Sequence, residues 1–352
     1  MKINFFKTII FAFLCIACSN KTTEQQVKNE PVRLIFETDM GNDVDDALAL
    51  DMIYKYVEAG KMDLLAVMSN KNSKYSAEFI DIMSTWYGHA DVSVGVVENG
   101  ANTETDGLNQ NGINYVQAVC EMETDGKPAF KRTLSNHESL PEASVLYRKI
   151  LAGQPDRSVT IVSVGFSTNI AKLLDTPADE YSPLTGKELV AAKVKQLVVM
   201  AGSFDEKPIA EYNVVKDVPA AQKVFAEWTT PIVVSPFEVG IKINYPGASI
   251  ENDFNWGMLH PVVEAYKAYL PMPYDRPTWD LTAVLYAAEP DSVFMNQSPQ
   301  GTIVVDSAGY TTFKIDEQGK HSYLNVTSEQ VEIVKKYFIR LITQRPSKYM
   351  EK

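Results

Sequence analysis

The stretch LIFETDMGNDVDDALAL, residues 34–50, joins an apolar run typical of a strand to an apolar run typical of a helix. Four aspartates fall within eight residues at this junction: Asp39, Asp43, Asp45 and Asp46. Two carboxylates about 4 Å apart repel each other by roughly 4 kcal/mol at an effective dielectric constant of about 20. Pointing into water, the four side chains would cost little. If they converge on one point, they need a cation.

The rest of the chain repeats the alternation of strand and helix patterns. Short runs rich in Val, Ile and Leu have the composition of buried parallel strands, at residues 33–39, 63–70, 91–97, 158–165, 194–202 and 230–237. Helical patterns lie between several of these runs, at residues 45–59, 73–87, 140–151, 167–174 and 219–228. The alternation predicts an α/β fold in which helices cover both faces of a mostly parallel, twisted sheet.

Two long segments interrupt this pattern. Residues 96–137 and 241–275 are poor in strand patterns and rich in Asn, Gly and Pro, which predicts loop insertions around a site. Near the end, a hairpin is expected to turn at 307–309, and an amphipathic helix is expected over 328–344. No internal repeat divides the chain, so residues 32–352 are predicted to form a single domain.

The first residues, MKINFFKTIIFAFLCIACSN, have a basic start and an apolar run that ends at Ala17. The run is too short to span a bilayer, which needs about 20 residues, so residues 1–17 are predicted to be a secretory signal. The CIAC motif resembles the lipobox of bacterial lipoproteins, with Cys18 as the lipidated residue. Residues 18–31 would then be a flexible tether. The expected location is the cell envelope, periplasmic or surface-exposed; a plain secretory signal is the alternative.

Charge and cysteine content exclude several classes of protein. The chain has 33 basic and 45 acidic side chains, a net charge of −12, and loss of Lys2 and Lys7 with the signal would make it −14 (31 − 45). Such an acidic protein is poorly suited to binding nucleic acid phosphates. Only Cys18 and Cys120 would survive processing, which excludes a disulfide framework.

The acidic loop has three possible explanations. Aspartate is a good helix cap and favours the first turn of a helix, which explains one or two of the four. A calcium-binding EF-hand loop is excluded because Val44 stands where its glycine is required and Leu50 where its glutamate is required. The remaining explanation is a site for a hard cation, and oxygen ligands alone suit calcium better than zinc.

Further motifs connect this loop to a known family. TDMGNDVDDALAL at 38–50 resembles the amino-terminal signature of the inosine-uridine-preferring nucleoside hydrolases. Other blocks resemble that family in the same order along the chain: SN at 69–70, VGFSTNIA at 164–171, AEYN at 210–213 and WDLTAV at 279–284. The resemblance extends over about residues 32–345, so it implies the nucleoside hydrolase fold and activity.

The resemblance also implies roles for individual residues. One calcium ion would be held by Asp39, Asp46, Asp280 and the backbone carbonyl of Val164. Asp39 would also be the general base for the attacking water. The ribose would be bound by Asp45, Asn70, Glu211 and Asn213, with Met200 near the base. Carboxylates suit this reaction because cleavage of the N-glycosidic bond generates positive charge on the ribose.

Two departures from the family pattern matter for the substrate. The longer loop places Asp39 six and seven residues before the aspartate pair, so Asp43 and Asp45 are both candidates for the ribose contact. Trp279 replaces a histidine that often assists the leaving base. Tryptophan in this place resembles the purine-specific branch and implies a purine preference; ordinary core packing is the alternative for Trp279.

The predicted function is calcium-dependent hydrolysis of a purine ribonucleoside to ribose and free base. Two alternatives stay open: a lipoprotein that binds nucleosides or sugars without cleaving them, and a hydrolase of another ribosyl compound. Singly, Glu211 and Asn213 could be exposed loop residues, and Asp280 could be a helix cap. A homo-oligomer is possible because members of the family are commonly oligomers.

Overall fold

A computed structural model describes residues 30–101, 107, 108, 112–134 and 136–350. The predicted signal at 1–17, the lipidation residue Cys18 and the tether up to residue 29 lie outside these residues. In the described part, no helix has the length and the apolar character that crossing a membrane requires.

The strands begin and end close to the predicted runs. In chain order they are β1 (Val32–Thr38), β2 (Met62–Ser69), β3 (Ser93–Val96), β4 (Glu123–Thr124), β5 (Lys127–Pro128), β6 (Val159–Ser163), β7 (Val194–Met200), β8 (Ile232–Ser235), β9 (Asn244–Tyr245), β10 (Arg276–Pro277), β11 (Asn296–Gln297), β12 (Gly301–Val305), β13 (Thr311–Ile315) and β14 (His321–Asn325).

The helices fill most of the intervals between strands. They are α1 (Asp45–Glu58), α2 (Lys74–Tyr87), α3 (Tyr115–Cys120), α4 (Ala143–Ala152), α5 (Thr168–Asp175), α6 (Gly186–Lys193), α7 (Tyr212–Lys216), α8 (Val218–Glu227), α9 (Phe237–Gly240), α10 (Gly247–Asn252), α11 (Pro261–Tyr269), α12 (Trp279–Ala288) and α13 (Ser328–Ile342). Short 3₁₀ turns occupy His137–Ser139 and Ser347–Tyr349.

The main sheet is parallel except at one end. Its strands are ordered β13-β12-β14-β8-β7-β6-β1-β2-β3, and β11 pairs with β14 outside this path. Neighbours from β14 through β3 run parallel, whereas β11, β12 and β13 pair antiparallel. The predicted α/β class, the mostly parallel sheet and the carboxyl-terminal hairpin and helix are therefore confirmed.

Alternation along the central strand β1 separates two hydrophobic cores. Phe36 packs in a core shared with α1, α2, α11, α12 and α13, whereas Ile35 packs in a core shared with α4, α5, α6 and α8. Both side chains are fully buried. The parallel strands present apolar residues to both faces of the sheet. Helices therefore cover both faces and bury these residues.

The segment 241–275 is more ordered than its composition suggested. It contains β9, α10 and α11, and Pro261 stands at the first position of α11, where a missing amide hydrogen costs no helical hydrogen bond. His260 caps this helix by accepting a hydrogen bond from the Val262 amide at 3.2 Å. Short helices therefore make up part of this predicted insertion, because Pro and Gly mark the ends of helices in this segment.

The register of the central strands decides where the site lies. Thr38 of β1 lies opposite Ser69 of β2, and Glu37 lies opposite Ser163 of β6. The next residue of each strand, Asp39, Asn70 or Val164, therefore leaves the sheet at the same carboxyl edge. In parallel sheets this edge is where ligands bind.

Candidate active site

A cavity of about 460 Å³ opens at this carboxyl edge. Its lining includes the following residues that the sequence predicted for the site: Asp39, Asp43, Asp45, Asp46, Val164, Met200, Glu211, Asn213, Trp279 and Asp280. Asn70 is the described site residue that the lining does not include. Segments far apart in the chain meet here because β1, β6 and β7 are neighbours and α12 packs against β6, β7 and α1.

Three carboxylates form a cluster where the acidic loop meets α12. Asp45, Asp46 and Asp280 are buried, and each offers an oxygen within 4.8 Å of the others. The first two occupy the first turn of α1, and Asp280 occupies the first turn of α12. The Asp280 amide donates a hydrogen bond to Asp45 Oδ2 at 3.1 Å, and Thr38 Oγ1 donates one to Asp46. Two helix starts therefore bring their acids to one point.

The electrostatics of this cluster favour a bound cation. Burial, and then repulsion by neighbouring carboxylates, raises the pKa of Asp45, Asp46 and Asp280 well above the ordinary value. Three carboxylates in one buried place stay ionised together only when positive charge offsets their repulsion. The donor set consists of oxygen atoms, which fits a hard divalent cation. The cluster could therefore hold a metal ion.

Asp39 lies beside this cluster, although it is not one of the three. Its carboxylate accepts a hydrogen bond from Asn42 Nδ2 at 2.5 Å. Burial is the main cause that raises the pKa of Asp39, to about 6, while the Asn42 hydrogen bond and the Lys71 charge act in the opposite direction. A carboxyl whose pKa is near neutrality is well suited to exchange a proton with water.

Asp43 and Asp45, which the sequence could not distinguish, have different partners. Asp43 is partly exposed and pairs with the guanidinium of Arg276, whose Nε donates to Oδ1 at 2.8 Å. Asp43 also accepts from the Val44 amide at 2.6 Å. Asp45 is buried against Asp280. Arg276 therefore neutralises Asp43 at the side of the cavity, while Asp45 belongs to the cluster at its centre.

Glu211 and Asn213 also line the cavity, at the start of α7. Glu211 caps this helix by accepting from the amides of Asn213 and Val214 at 2.9 and 3.3 Å, and it also accepts from the Gly202 amide at 3.1 Å. Burial raises the pKa of Glu211 to about 7. Asn213 Nδ2 donates to the carbonyls of Val164 and Met200 at 2.9 and 3.1 Å. A carbonyl oxygen has two lone pairs, so Val164 keeps one for a further partner.

Asn70 has a different position from the other predicted sugar ligands. It is fully buried, and its side chain pairs with the Phe166 backbone at 2.9 and 3.0 Å. Its amide also donates to Glu37, whose pKa burial raises to about 8. In this arrangement Asn70 ties β2 to the loop after β6 and does not line the cavity.

Trp279 forms an aromatic wall of the cavity together with Phe237. The two rings are stacked, with centroids 5.6 Å apart and planes inclined by 26°. The Trp279 indole N–H donates to the Phe237 carbonyl at 3.1 Å, which fixes the ring. The Arg276 guanidinium lies 5.5 Å from the centroid of the same ring. Since Trp279 is only partly buried, part of its ring is open to the cavity.

Three functional neighbours were not found by sequence reasoning. Asn42 lines the cavity, Lys71 is a buried cation behind it, and Arg276 holds Asp43. Asn42 stands inside the quoted motif, three residues after Asp39. That spacing in a turn could have predicted the contact between the two side chains. Lys71 and Arg276 carried no signal, because their contacts are made only after distant segments meet.

Comparison with known proteins agrees with this geometry. The model of the inosine-uridine preferring nucleoside hydrolase family matches residues 34–337. Comparison with curated proteins finds no match.

Solved structures share the fold over nearly the whole chain. A plant nucleoside hydrolase is 18% identical with a TM-score of 0.66, covering 90% of this chain and 100% of that one. The purine-preferring ribonucleoside hydrolase from Gardnerella vaginalis is 17% identical with a TM-score of 0.66, covering 88% and 98%. An inosine-uridine preferring nucleoside hydrolase from Bacillus anthracis is 14% identical with a TM-score of 0.63, covering 88% and 99%. Because the family model spans most of the sequence and the motif residues meet in one cavity, this chain belongs to the inosine-uridine preferring nucleoside hydrolase family.

Proposed function

We propose that the protein is a calcium-dependent hydrolase that cleaves purine ribonucleosides to ribose and free base. The observation that carries this proposal is the composition of one cavity, in which a buried carboxylate cluster faces an aromatic wall. The carboxylates suit a cation and the polar sugar, and the aromatic wall suits a flat base. A nucleoside combines these two chemistries in one molecule.

Calcium would be held by carboxylates of Asp39, Asp46 and Asp280 and by the carbonyl of Val164. When bound, the ion would orient the ribose hydroxyls and make the attacking water more acidic. The buried oxygen donors support calcium over a softer metal.

Asp39 would act as the general base. Its carboxylate faces the cavity, and the hydrogen bond from Asn42 fixes its orientation. Asp39 would remove a proton from water as the water attacks the anomeric carbon and the bond to the base breaks. The neighbouring carboxylates would stabilise the positive charge that develops on the ribose.

The sugar would be bound by polar residues of the cavity lining. Asp45 would accept from a ribose hydroxyl, and Glu211 and Asn213 would also bind the ribose. Met200 would lie near the base. Asn70 would support the site from β2, and Asp43, which is paired with Arg276, would shape its wall.

The base would stack on Trp279. Stacking of a base on an aromatic side chain contributes about 1–3 kcal/mol in nucleic acid binding, and a two-ring base offers the larger surface. An indole N–H is not a practical acid, and here it is already donated to the Phe237 carbonyl. Departure of the base would therefore depend on stacking and solvent.

The proposed location is the cell envelope. The chain would be attached through lipid on Cys18, with residues 18–31 as a tether between the anchor and the enzyme. Nucleosides outside the cytoplasm would then be the substrates, and a homo-oligomer is compatible with such an anchor.

A panel of nucleosides tests the function. The protein is incubated with calcium and inosine, guanosine, adenosine, uridine or cytidine, and free ribose and free base are measured. We expect equimolar products, with purines cleaved faster than pyrimidines. A protein that binds nucleosides but releases no ribose would instead be a binding module. Release of ribose only from a different ribosyl compound would change the substrate class.

A further inference from the structure

Lys71 places a buried positive charge directly behind the acidic loop. The residue follows Asn70 at the end of β2 and is only 1% exposed. Lysine is rarely buried without a charged or strongly polar environment, because removing an ammonium group from water is costly. The buried Lys71 ammonium group therefore needs oxygen atoms that accept its hydrogen bonds.

The contacts of Lys71 lead to Asp39 through one residue. The Lys71 ammonium donates to Asn42 Oδ1 at 2.6 Å and to the Gly41 carbonyl at 3.4 Å. Asn42 Nδ2 in turn donates to Asp39 Oδ2 at 2.5 Å. The Asn42 backbone amide also donates to the Asp39 carbonyl at 3.2 Å. This hydrogen bond closes a backbone turn that holds the two side chains close together.

The chemistry of the two ends determines the orientation of the amide between them. An ammonium group donates hydrogen bonds and cannot accept them, whereas an ionised carboxylate accepts and cannot donate. Asn42 must therefore turn its oxygen toward Lys71 and its nitrogen toward Asp39. Without the lysine, the amide oxygen would lose this charged partner, and the Asn42 side chain could turn away from Asp39.

We propose that Lys71 is a positioning residue that acts through Asn42 to hold the Asp39 carboxylate in its catalytic orientation. The inference rests on the proposed function, because that function makes Asp39 the general base. Lys71 does not line the cavity in the described residues, so it need not touch the substrate. Its effect should therefore appear in kcat, and only slightly in KM.

The experiment is a double-mutant cycle in the full chain with calcium and the best nucleoside of the panel. Lys71→Met, Asn42→Ala and the double variant are compared with the wild type. We expect Lys71→Met to lower kcat by about 10²-fold, since small displacements of a reacting group have effects of this size. In the Asn42→Ala background, the same change should cost clearly less, because the hydrogen-bonded connection to Asp39 is already broken and only the direct effect of the Lys71 charge on Asp39 remains.

Lys55→Met is the matched control. Lys55 is also a buried lysine, 3% exposed, and it donates to the Gln344 carbonyl away from the cavity. This variant should lower Tm without lowering kcat. The comparison distinguishes the effect of removing a buried lysine charge from the effect of losing the positioning of Asp39.

Crystal structures of the wild type and of Lys71→Met give a readout that does not need turnover. The proposal requires the Asn42 amide to leave Asp39 in the variant, and an unchanged contact overturns it. Unchanged kcat in Lys71→Met, or an equal loss in both backgrounds, also overturns it. If the wild type releases no ribose from any nucleoside, the proposed function fails, and the crystal structures alone decide the role of Lys71.

Discussion

At the scale of single residues, the aspartates of the loop have separate environments. Asp43 is partly exposed and paired with Arg276, whereas Asp45 and Asp46 are buried beside Asp280. Simple repulsion would push the buried group apart or protonate it. The arrangement therefore makes sense as a site that is completed by a cation.

Replacing Asp46 tests this at the centre of the cluster. Asp46→Ala should abolish tight calcium binding, and the rise in Tm that calcium gives the wild type should disappear, because a bound ligand stabilises the folded state. Calorimetric titration and thermal unfolding with and without calcium measure both effects. Asp63→Ala, at an exposed acid on β2, is the control and should keep both. Full calcium stoichiometry in Asp46→Ala would remove Asp46 from the site.

Trp279 is the residue that the proposal makes responsible for the preference for the base. In the wild type, kcat/KM for inosine should exceed that for uridine. Trp279→Ala should weaken inosine binding by about 1–3 kcal/mol, the contribution of one base stack, while Trp279→Phe should keep much of it. Equal kcat/KM for the two nucleosides in the wild type would contradict the purine preference. An alanine variant that binds and cleaves inosine normally would show that the ring serves packing alone.

At the scale of elements, periodicity predicted the helices and strands that face a core on one side. α1 was expected over 45–59 and spans Asp45–Glu58, and α2 was expected from 73 and begins at Lys74. α4 begins at Ala143, later than expected, because Glu142 accepts from the amides of Ser144 and Val145 and so caps the helix there. A helix start that is set by a capping side chain can be predicted from the sequence only when the cap is one of the preferred residues, Ser, Thr, Asp or Asn.

Contacts between distant elements could not be predicted in this way. Nothing near Lys71 or Arg276 in the sequence indicates that each would meet the acidic loop. Asn70 differs from these two residues, because its sequence motif was recognised. Its buried hydrogen bonds to Glu37 and to the loop after β6 were not predictable from that motif. Patterns of type and spacing locate the site, but the orientation of each polar group depends on the packed structure.

Arg148 on α4 gives a pH-dependent prediction at this scale. It is almost fully buried and binds Asp179 through Nε and Nη2 at 2.6 and 2.8 Å, tying α4 to the segment before α6. The hydrogen bonds from Arg148 are the main cause that lowers the pKa of Asp179 to about 2. A carboxyl with a lowered pKa stabilises the fold above its unfolded pKa of about 4, and this contribution disappears as the pH falls toward 2.

Asp179→Asn should therefore lower the free energy of unfolding at pH 7 by about 1.5–3 kcal/mol, the range for a hydrogen bond to a charged group. The difference from the wild type should begin to shrink below about pH 4. Urea unfolding at pH 7, 4 and 3 measures it. Asp156→Asn is the control, since that carboxylate is 76% exposed in its pair with Lys193. A difference that stays constant with pH would refute the coupling.

At the scale of the whole molecule, the fold brings together residues from 39 to 280 along the chain at one edge of one sheet. The order of β7, β6 and β1 determines this, because each strand delivers the residue after its end to the same cavity. Sequence motifs identified the family because these strand ends carry its signature. The net charge of −12 agrees with a small neutral substrate and a cation.

The proposed attachment to the envelope also concerns the whole molecule. In a bacterial host, the mature protein should begin at Cys18 and sediment with membranes. Cys18→Ser should be soluble or unprocessed, because the lipid has no attachment point. Fractionation followed by mass spectrometry of the amino terminus measures both. A wild-type protein found wholly in the soluble fraction would contradict the anchor, without affecting the proposed reaction.

The measurement that tests the central claim most directly is product formation from inosine in phosphate-free buffer with calcium, for the wild type and for Asp39→Asn. We predict that the wild type releases ribose and hypoxanthine in equal amounts. Asp39→Asn should fold normally and turn over at least about 10²-fold more slowly, because it lacks the general base. A wild type that binds inosine without releasing ribose, or an Asp39→Asn variant with wild-type turnover at saturating calcium, would contradict the account.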